Sequence, residues 1–280
     1  MIQKDLKKFI TQSLLEDIGD GDHTSLACIN KNEVNSAQII SKENGIIAGI
    51  KLAEIILKEV DGNIKIKSKK KDGDPIKKDE AILTINGNAQ SILQCERFVL
   101  NCMQRMSAIA TKTNRMQKLI INTHCKILDT RKTTPLNRHI EKWAVKIGGG
   151  ENHRFGLYDM IMIKDNHIDF AGGIEKAINR TIKYLKRHNK NLKIIIEARN
   201  LRELKEIIKI GKIDRILLDN FDIMETKKAV NLIKNKFEVE SSGGINENTV
   251  RDYANCGVDF ISIGSIIHTV KNFDLSLKAL

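Results

Sequence analysis

The chain contains 280 residues with a mass of 31.6 kDa and is 41% hydrophobic, which suits one large globular domain or two smaller ones. Its formal charge of +12 would attract phosphates, carboxylates or nucleic acid, so charge alone excludes none of these partners. The N-terminus has no apolar signal core, no window approaches the ~18 apolar residues of a membrane-spanning helix, and the cysteines form no C-x-x-C pair. We therefore expect a cytoplasmic protein with reduced thiols and no membrane partner.

The first hundred residues combine helices with short, apparently antiparallel strands. The apolar spacing predicts helices at 4–15 and 51–60 and strands at 63–68 and 80–86. The alternating stretch 36–50 is interrupted by Asn44-Gly45. It predicts a β-hairpin, because Asn-Gly favours the positive φ angles of tight two-residue turns.

A glycine-rich acidic segment, from Glu16 to Thr24, should end the first helix. Its aspartates and glycines suggest a calcium loop, but the spacing and the closing glutamate of an EF-hand are absent. We therefore favour a turn at the edge of a domain over a metal site.

A long helix is predicted over about residues 92–121, with an apolar stripe that includes Val99, Met103 and Met106. Arg97, Asn101 and Arg105 follow one another at intervals of four residues and so share one polar face of this helix. Such a face is either solvated surface or a means of presenting an arginine to an active site or a partner. The spacing alone favours solvated surface.

Beyond residue 125 the predicted strands and helices alternate, which favours a parallel sheet or an α/β barrel. The candidate strands are 126–129, 160–164, 192–197, 214–219, 237–241 and 258–263. Polar or small residues occupy their downstream ends: Asp129, Arg131, Lys164, Glu197, Asp219, Ser242 and Gly264. The last four positions are spaced by 22, 23 and 22 residues, close to one β-α unit each. Because the functional residues of α/β barrels lie where strands end, these positions should converge on one pocket.

The composition of these strand ends indicates a site for a polyanion. The segment from Asp129 to His167 gathers several cations between small or hydroxylated residues: Arg131, Lys132, Arg138, Lys142, Lys146, Arg154 and Lys164. Ser242–Asn246 and Ile263–Ser265 each combine small residues with an expected helix start, an arrangement in which backbone N–H groups can bind a phosphate monoester.

Several motifs in this part of the chain resemble one family. They are Asp129-Thr-Arg-Lys-Thr-Thr-Pro135, Glu141-Lys142, Gly148-Gly-Gly150 with Asn152-His-Arg154, Ile163-Lys-Asp-Asn-His167, Leu218-Asp-Asn-Phe221 and Ser242-Gly-Gly-Ile245. The N-terminal Glu16–Thr24 segment and the helix from Leu100 to Thr111 fit as well. The chain resembles the nicotinate-nucleotide pyrophosphorylase (carboxylating) family, also called quinolinate phosphoribosyltransferase, over nearly its whole length.

The resemblance implies an α/β protein with an N-terminal α/β sandwich followed by an incomplete α/β barrel, the type II phosphoribosyltransferase fold. The expected domains are residues 1–108, with the tail 270–280 packed on them, and residues 109–269. The resemblance also implies a homodimer or a larger assembly of dimers, such as a hexamer. The implied reaction converts quinolinate and phosphoribosyl pyrophosphate to nicotinate mononucleotide, pyrophosphate and CO2, with Mg²⁺, in NAD biosynthesis.

The resemblance further implies the roles of individual residues. The quinolinate-binding set falls on Arg131, His153, Arg154 and Lys164, with Arg97 contributed by the neighbouring subunit. The set that binds phosphoribosyl pyrophosphate falls on Lys132, Glu197, Asp219, Ser242, Gly243, Gly244, Gly264 and Ser265. Among these, Lys132, Lys164, Glu197 and Asp219 are the expected catalytic residues, and Glu197 and Asp219 also lie near the Mg²⁺.

The sequence departs from the family pattern at a few positions. Pro-Gly-Leu becomes Pro135-Leu136-Asn137, so a positive φ there would be harder to reach without glycine. Ala108 replaces the glycine of a Ser-Gly pair, and Ile195 replaces the first glutamate of a Glu-x-Glu strand. These changes affect expected loop geometry more than expected chemistry.

Simpler structural roles compete with the functional ones at several residues. Asp219 could cap the next helix, and His153 could be a satisfied buried histidine. His167 could orient a neighbour from a second layer, and Glu141 could pair with Lys142 or Lys146 at the surface.

Two alternative functions were weighed against the family's reaction. A related phosphoribosyltransferase could use another pyridine or base, but the three arginines Arg97, Arg131 and Arg154 match a dianion better. A nucleic-acid-binding protein would also exploit the positive charge, but one Trp, three Tyr and the absence of a known binding motif argue against it. No nucleic-acid partner is therefore expected.

Overall fold

The computed structural model describes the backbone of residues 2–280 and the side chains of residues 5–280. The chain forms two compact units. The first contains residues up to Asn114 together with Thr133–Gly149 and Ile266–Leu280, and the second contains Arg115–Lys132 and Gly150–Ser265. The segment Thr133–Gly149 thus groups with the first unit, whereas the boundaries expected from sequence place it in the barrel.

The secondary structure alternates along the chain. The helices are α1 (Ile2–Ile18), α2 (His23–Cys28), α3 (Ile50–Val60), α4 (Ala89–Leu119), α5 (Arg138–Ile147), α6 (Asp165–Ala171), α7 (Ile174–Arg187), α8 (Leu201–Ile210), α9 (Ile223–Ile233), α10 (Val250–Asn255) and α11 (Ser265–His268). The strands are β1 (Val34–Ser41), β2 (Gly45–Ile46), β3 (Lys65–Ser68), β4 (Pro75–Ile76), β5 (Ala81–Asn88), β6 (Lys126–Leu128), β7 (Ile161–Ile163), β8 (Ile194–Ala198), β9 (Arg215–Asp219), β10 (Glu238–Ser242), β11 (Phe260–Ser262) and β12 (Leu275–Ala279).

The first unit is built on an antiparallel sheet with strand order β12-β1-β5-β3. Ile39 of β1 and Leu83 of β5 are register partners, and both are fully buried. Helix α3 buries Leu52, Ala53 and Ile56, the spacing expected of one apolar helical face. The predicted antiparallel strands and helices of this region are therefore confirmed, with ends shifted by a few residues.

The hairpin predicted at Asn44-Gly45 is wrong. β1 pairs with β12 and β5, whereas the short strand β2 that follows pairs with β4. Neither Asn44 nor Gly45 has a positive φ. The glycine serves close packing instead, because a Cβ at Gly45 would lie 2.5 Å from the Phe273 ring and 2.6 Å from the Thr111 hydroxyl.

The acidic segment forms a turn and a helix cap. Helix α1 ends at Ile18, just before Gly19, as predicted. The Asp22 carboxylate accepts hydrogen bonds from the backbone N–H and the hydroxyl of Ser25 and thereby caps α2. These bonds lower the pKa of Asp22 below its ordinary value, because they favour the ionised carboxylate.

The second unit is built on a parallel six-stranded sheet with order β6-β11-β10-β9-β8-β7. Each strand corresponds to a predicted one, and the sheet forms an incomplete α/β barrel. Every residue of β8 is buried, as expected for a parallel strand with both faces covered. Parallel order places the carboxyl ends of all six strands at one edge, so the polar residues that follow them share that edge. Among the described residues no helix has the length and apolar character to cross a membrane.

Candidate active site

Lys164 and Glu197 form an ion pair at the ends of neighbouring strands. Lys164 follows β7 and Glu197 lies in β8, and the Lys164 Nζ is 2.7 Å from the Glu197 Oε1. The Glu197 side chain is only 8% exposed, whereas that of Lys164 is 45% exposed. A mostly buried carboxylate thus holds a partly exposed ammonium group in a fixed place at the strand ends.

The start of α6 fixes the backbone of Lys164. The Lys164 N–H donates a hydrogen bond to the Nδ1 atom of His167 over 3.0 Å. His167 therefore orients Lys164 through its main chain, which is the second-layer geometry considered for it from the sequence. This capping bond fixes the main chain at Lys164, whatever conformation the lysine side chain adopts.

Arg154 is a buried guanidinium within electrostatic range of a second one, Arg131. Arg154 is 7% exposed, and its Nη1 donates to the Met160 carbonyl over 3.3 Å. Burial, followed by the nearby charge of Arg131, lowers the pKa of Arg154, and the charges of Asp159 and Glu197 only partly oppose this. Arg131 is exposed. Clustered like charges of this kind are stabilised by a bound anion, and two planar guanidinium forks suit two carboxylates.

His153 lies inside the barrel, with both ring nitrogens beside polar partners. Its Nδ1 accepts a hydrogen bond from the Arg154 N–H over 2.7 Å, and its Nε2 is 3.4 Å from Glu240 Oε2. The His153 N–H in turn donates to Asp129 Oδ1 over 2.9 Å. The ring is 6% exposed. This geometry fits a histidine that fixes the main chain at Arg154. It agrees with the simpler role named for His153 from the sequence, that of a buried histidine.

A buried ionic network continues from Glu240 into the barrel. Arg215 Nη1 is 2.9 Å from Glu240 Oε2, while its Nη2 and Nε contact Glu238 Oε2 at 2.9 and 3.0 Å. The Arg215 guanidinium also lies 3.7 Å from the centre of the Phe260 ring. Burial disfavours the ionised form of Glu240, yet the bond from His153 and the charges of His153 and Arg215 outweigh it and lower the pKa.

Glu240 and Arg215 are not among the site residues predicted from the sequence. Arg215 begins the mostly apolar and buried strand β9, and Glu240 is a buried charge at the middle of β10. A charge in such a strand is itself a signal, since buried charges are retained only with partners. The partners come from other strands, however, so the network could not be deduced from local sequence.

The turn after β10 was predicted to bind phosphate and to be followed by a helix. Gly243 and Gly244 follow β10 with φ angles of 104° and 61°. The helix that follows is α10, which begins at Val250 after the intervening residues 245–249. The turn at Gly264 is followed at once by Ser265, the first residue of α11, as predicted.

Asp219 ends β9 but does not cap the next helix. That cap is Asp222, whose carboxylate accepts from the Glu225 N–H over 2.7 Å. The capping alternative for Asp219 is therefore wrong. Its carboxylate instead accepts a hydrogen bond from the side chain of Asn220.

Two predictions for the first unit need correction. Glu141 is fully buried rather than paired at the surface, and it accepts bonds from Arg105 and from the N–H and hydroxyl of Thr134. The prediction that Arg105 lies on a solvated helix face is also wrong. Its side chain is 20% exposed and also donates to the Ile267 carbonyl. Arg97 and Asn101 on the same helix are exposed.

The main departure from the family pattern produces backbone strain. Leu136 has a φ of 65°, in the left-handed region, and its side chain is 84% exposed. A non-glycine residue there costs ~1–2 kcal/mol. The loop thus keeps the backbone conformation that glycine would permit, at a cost in stability.

Comparison with known proteins decides the family. Residues 22–107 match the family described as quinolinate phosphoribosyl transferase, N-terminal domain, and residues 109–278 match the corresponding C-terminal domain. The chain belongs to the quinolinate phosphoribosyltransferase family. Its fold class and the resemblance found in its motifs are thereby confirmed.

Individual members of the quinolinate phosphoribosyltransferase family are similar over almost the whole chain. A relative from Arabidopsis thaliana, nicotinate-nucleotide pyrophosphorylase (carboxylating), chloroplastic, is 44% identical over 98% of this chain and 82% of its own length. Quinolinate phosphoribosyltransferase (decarboxylating) 2, mitochondrial, from Nicotiana glauca is 42% identical with the same coverage. The structure of the nicotinate-nucleotide pyrophosphorylase from Francisella tularensis superposes with a TM-score of 0.91, at 38% identity, and covers 99% of this chain and 96% of that one.

Proposed function

We propose that this protein is a decarboxylating quinolinate phosphoribosyltransferase of NAD biosynthesis. It converts quinolinate and phosphoribosyl pyrophosphate to nicotinate mononucleotide, pyrophosphate and CO2. The observation that carries this proposal is the set of cations around Glu197: Lys164 forms an ion pair with it, and Arg154 lies within electrostatic range of both Glu197 and Arg131. Burial and, second, the charge of Arg131 lower the pKa of Arg154, so a bound anion would stabilise its charged form, and quinolinate is a pyridine dicarboxylate.

Arg131, Arg154 and Lys164 are the proposed contacts to the two carboxylates of quinolinate. Arginine binds a carboxylate through two parallel N–H bonds, which fixes the plane of the ring as well as its position. Arg154 is held by its bond to Met160 O, and Lys164 by Glu197. His153 supports this set by accepting the Arg154 N–H. A direct contact between His153 and the substrate also belongs to the family-based proposal.

Phosphoribosyl pyrophosphate is proposed to occupy the other strand ends. Ser242, Gly243, Gly244, Gly264 and Ser265 would surround the 5′-phosphate with backbone N–H groups and hydroxyls. Glu197 and Asp219 would face the ribose hydroxyls. Lys132, which is exposed and whose N–H donates to Thr130 Oγ1 over 3.0 Å, would bind the pyrophosphate group.

Mg²⁺ is proposed as the metal of the reaction, and two carboxylates fit it. Glu197 lies opposite Leu217 in the β8–β9 register, and Asp219 is two residues further along, so both side chains leave the same face of the sheet. Mg²⁺ prefers oxygen ligands and is usually held by one or two carboxylates together with substrate phosphates. When bound, it would neutralise charge on the leaving pyrophosphate.

The chain itself contributes orientation and electrostatics to the proposed reaction. The proposed quinolinate contacts orient the pyridine nitrogen toward the anomeric carbon. The new N–C bond forms there as the C–O bond to pyrophosphate breaks. Glu197 and Asp219 stabilise the positive charge on the ribose, and Lys132 stabilises the departing oxygen. The cationic pyridine ring then takes up the electron pair of the bond to the C2 carboxylate as CO2 leaves, and a solvent proton replaces CO2 at C2. No protein nucleophile is needed.

The proposed function predicts turnover that depends on both substrates. Purified protein with Mg²⁺, phosphoribosyl pyrophosphate and carboxyl-labelled quinolinate should release labelled CO2 and form nicotinate mononucleotide in equal amounts. Omission of either substrate should abolish release. Nicotinate, which lacks the second carboxylate, is the matched control and should be a poor acceptor. Efficient turnover of nicotinate would instead support a related enzyme, and salt-sensitive nucleic-acid binding without turnover would contradict the proposal.

We also propose a homodimer in which Arg97 of each chain completes the quinolinate site of the other. Arg97 lies on α4 and is exposed in the single chain. A residue that reaches the site of a neighbouring subunit must be exposed in this way. Assembly of such dimers into a hexamer is part of the same proposal. We place the protein in the cytoplasm, since its five cysteines are free thiols, as is usual in reducing compartments.

The shared site predicts complementation between two inactive variants. Mixed dimers of Arg97→Ala and Lys164→Ala chains should recover part of the wild-type activity, because one of their two sites carries both defects and the other carries none. The matched control mixes Lys164→Ala with Glu197→Gln chains. Lys164 and Glu197 contact each other within one chain, so each site of that mixed dimer keeps one defect and no recovery is expected. Failure of the first mixture to recover, when mass measurement shows mixed dimers, would contradict the shared site.

A further inference from the structure

Asn220 occupies an unusual backbone conformation between two proposed binding elements. It directly follows Asp219, the last residue of β9, and has a φ of 55°. Asparagine is among the few residues other than glycine that adopt the left-handed region readily. The Asn220 N–H donates to the Ser242 carbonyl over 2.9 Å, which ties the end of β9 to the end of β10.

The side-chain amide of Asn220 holds the carboxylate of Asp219. Its Nδ2 donates to Asp219 Oδ2 over 3.0 Å. A hydrogen bond from a neutral donor to a carboxylate restricts rotation of the carboxylate without removing its negative charge. An aspartate in place of Asn220 would have the same shape but would place a second negative charge beside Asp219.

The other side of the same amide packs against Gly243. A Cβ at Gly243 would lie 2.1 Å from Asn220 Oδ1 and 2.6 Å from its Cγ. Gly243 also has a φ of 104°. The space that this glycine leaves is therefore filled by the Asn220 side chain, and the two residues fix each other's position.

We propose that Asn220 is a positioning residue that sets the Asp219 carboxylate and the Ser242–Gly244 turn in one geometry for phosphoribosyl pyrophosphate. The inference rests on the proposed function. One side chain contacts both the acid expected near the ribose and the glycine turn expected near the 5′-phosphate. The proposed quinolinate contacts Arg131, Arg154 and Lys164 lie in other segments, after β6, before β7 and after β7, so the influence of Asn220 should be confined to the sugar phosphate.

The test uses two substitutions with different physical effects. Asn220→Gly keeps the left-handed backbone and removes the amide, whereas Asn220→Asp keeps the shape and removes the donor. Binding of phosphoribosyl pyrophosphate with Mg²⁺, measured by calorimetry, should weaken about tenfold or more in both, as expected for loss of one charge-assisted hydrogen bond. The KM for phosphoribosyl pyrophosphate should rise similarly, while the dissociation constant for quinolinate should stay within about twofold.

A comparison of the two variants separates positioning from a structural role. Asn220→Asp places a second negative charge beside Asp219 and should therefore weaken phosphoribosyl pyrophosphate more than Asn220→Gly at low salt, whereas general loss of structure would weaken it equally in both. Added salt should reduce the difference between the two variants. Asn235→Gly is the matched control, since Asn235 also has a left-handed φ, of 58°, and is exposed after α9.

The outcomes distinguish this inference from the proposed function. Absence of phosphoribosyl pyrophosphate binding by the wild-type protein would overturn both. Normal binding by the wild-type protein and by both Asn220 variants would overturn only the role of Asn220. Equal weakening of quinolinate and phosphoribosyl pyrophosphate would likewise reject a positioning role, because it would indicate general damage to the barrel.

Discussion

Replacing Lys164 with alanine should reduce kcat/KM for quinolinate by roughly 10- to 150-fold, the effect of losing ~1.5–3 kcal/mol of charge-assisted bonding. The substitution removes a proposed substrate contact and leaves the Glu197 carboxylate, 8% exposed, without its ammonium partner. The KM for quinolinate should carry most of the effect. Initial rates with quinolinate varied at saturating phosphoribosyl pyrophosphate measure it.

A double-mutant cycle tests whether Lys164 also acts through Glu197. Glu197→Gln should cost less activity in the Lys164→Ala background than in the wild-type protein, because the ion pair at 2.7 Å is already broken. Lys183→Ala, which removes an exposed lysine of α7, is the matched control and should have no effect. Unchanged quinolinate saturation in Lys164→Ala would reject the assignment of this pocket.

The strand ends were predictable from sequence because the barrel repeats a unit of nearly constant length. Glu197, Asp219, Ser242 and Gly264 each lie at or just after the end of a strand, as their regular spacing indicated. Parallel order then brings these positions to one edge without knowledge of any side-chain contact. The distance from the Gly243-Gly244 turn to the next helix was not predictable, since Gly172-Gly173 directly precede α7 whereas residues 245–249 separate the other pair from α10.

Contacts between distant residues could not be predicted from local patterns. Asn44-Gly45 has the composition of a hairpin turn, but the pairing of β1 with β12, at the far end of the chain, determines its environment. Glu141 follows a loop rich in polar residues, yet Arg105 from α4 makes its burial possible. In both cases tertiary partners override a local preference.

The buried network fixes the main chain beside Arg154, one of the proposed quinolinate contacts. Arg154 is fixed through its N–H by His153, whose ring faces Glu240, and Glu240 is held by Arg215. The chain of contacts runs from the strand ends into the barrel interior. The position of a proposed binding residue thus depends on charged groups in the barrel interior.

Replacing Arg215 with alanine should lower the free energy of unfolding by ~3–5 kcal/mol, the usual effect of breaking a buried ion pair by removing one partner. Arg215 is 7% exposed and Glu240 is fully buried, so water cannot replace the lost bonds. The stacking of the guanidinium on Phe260 is lost as well. Urea denaturation of the wild-type and variant proteins measures the difference, and Arg251→Ala, at an exposed position of α10, is the matched control.

The decrease in unfolding free energy caused by Arg215→Ala should also depend on pH, and the ionisation of Glu240 determines the direction of that dependence. In the wild-type protein the pKa of Glu240 is lowered, so its ionised form contributes stability that is lost only as the pH falls through that lowered value. Without Arg215, burial is opposed by His153 alone and the pKa of Glu240 should rise. The stability difference between the two proteins should therefore be larger at about pH 7.5 than at about pH 4, where the Glu240 carboxyl group of the variant is protonated and no longer an unpaired buried charge. An equal difference at both pH values would show that lost packing, rather than the unpaired charge of Glu240, accounts for the effect.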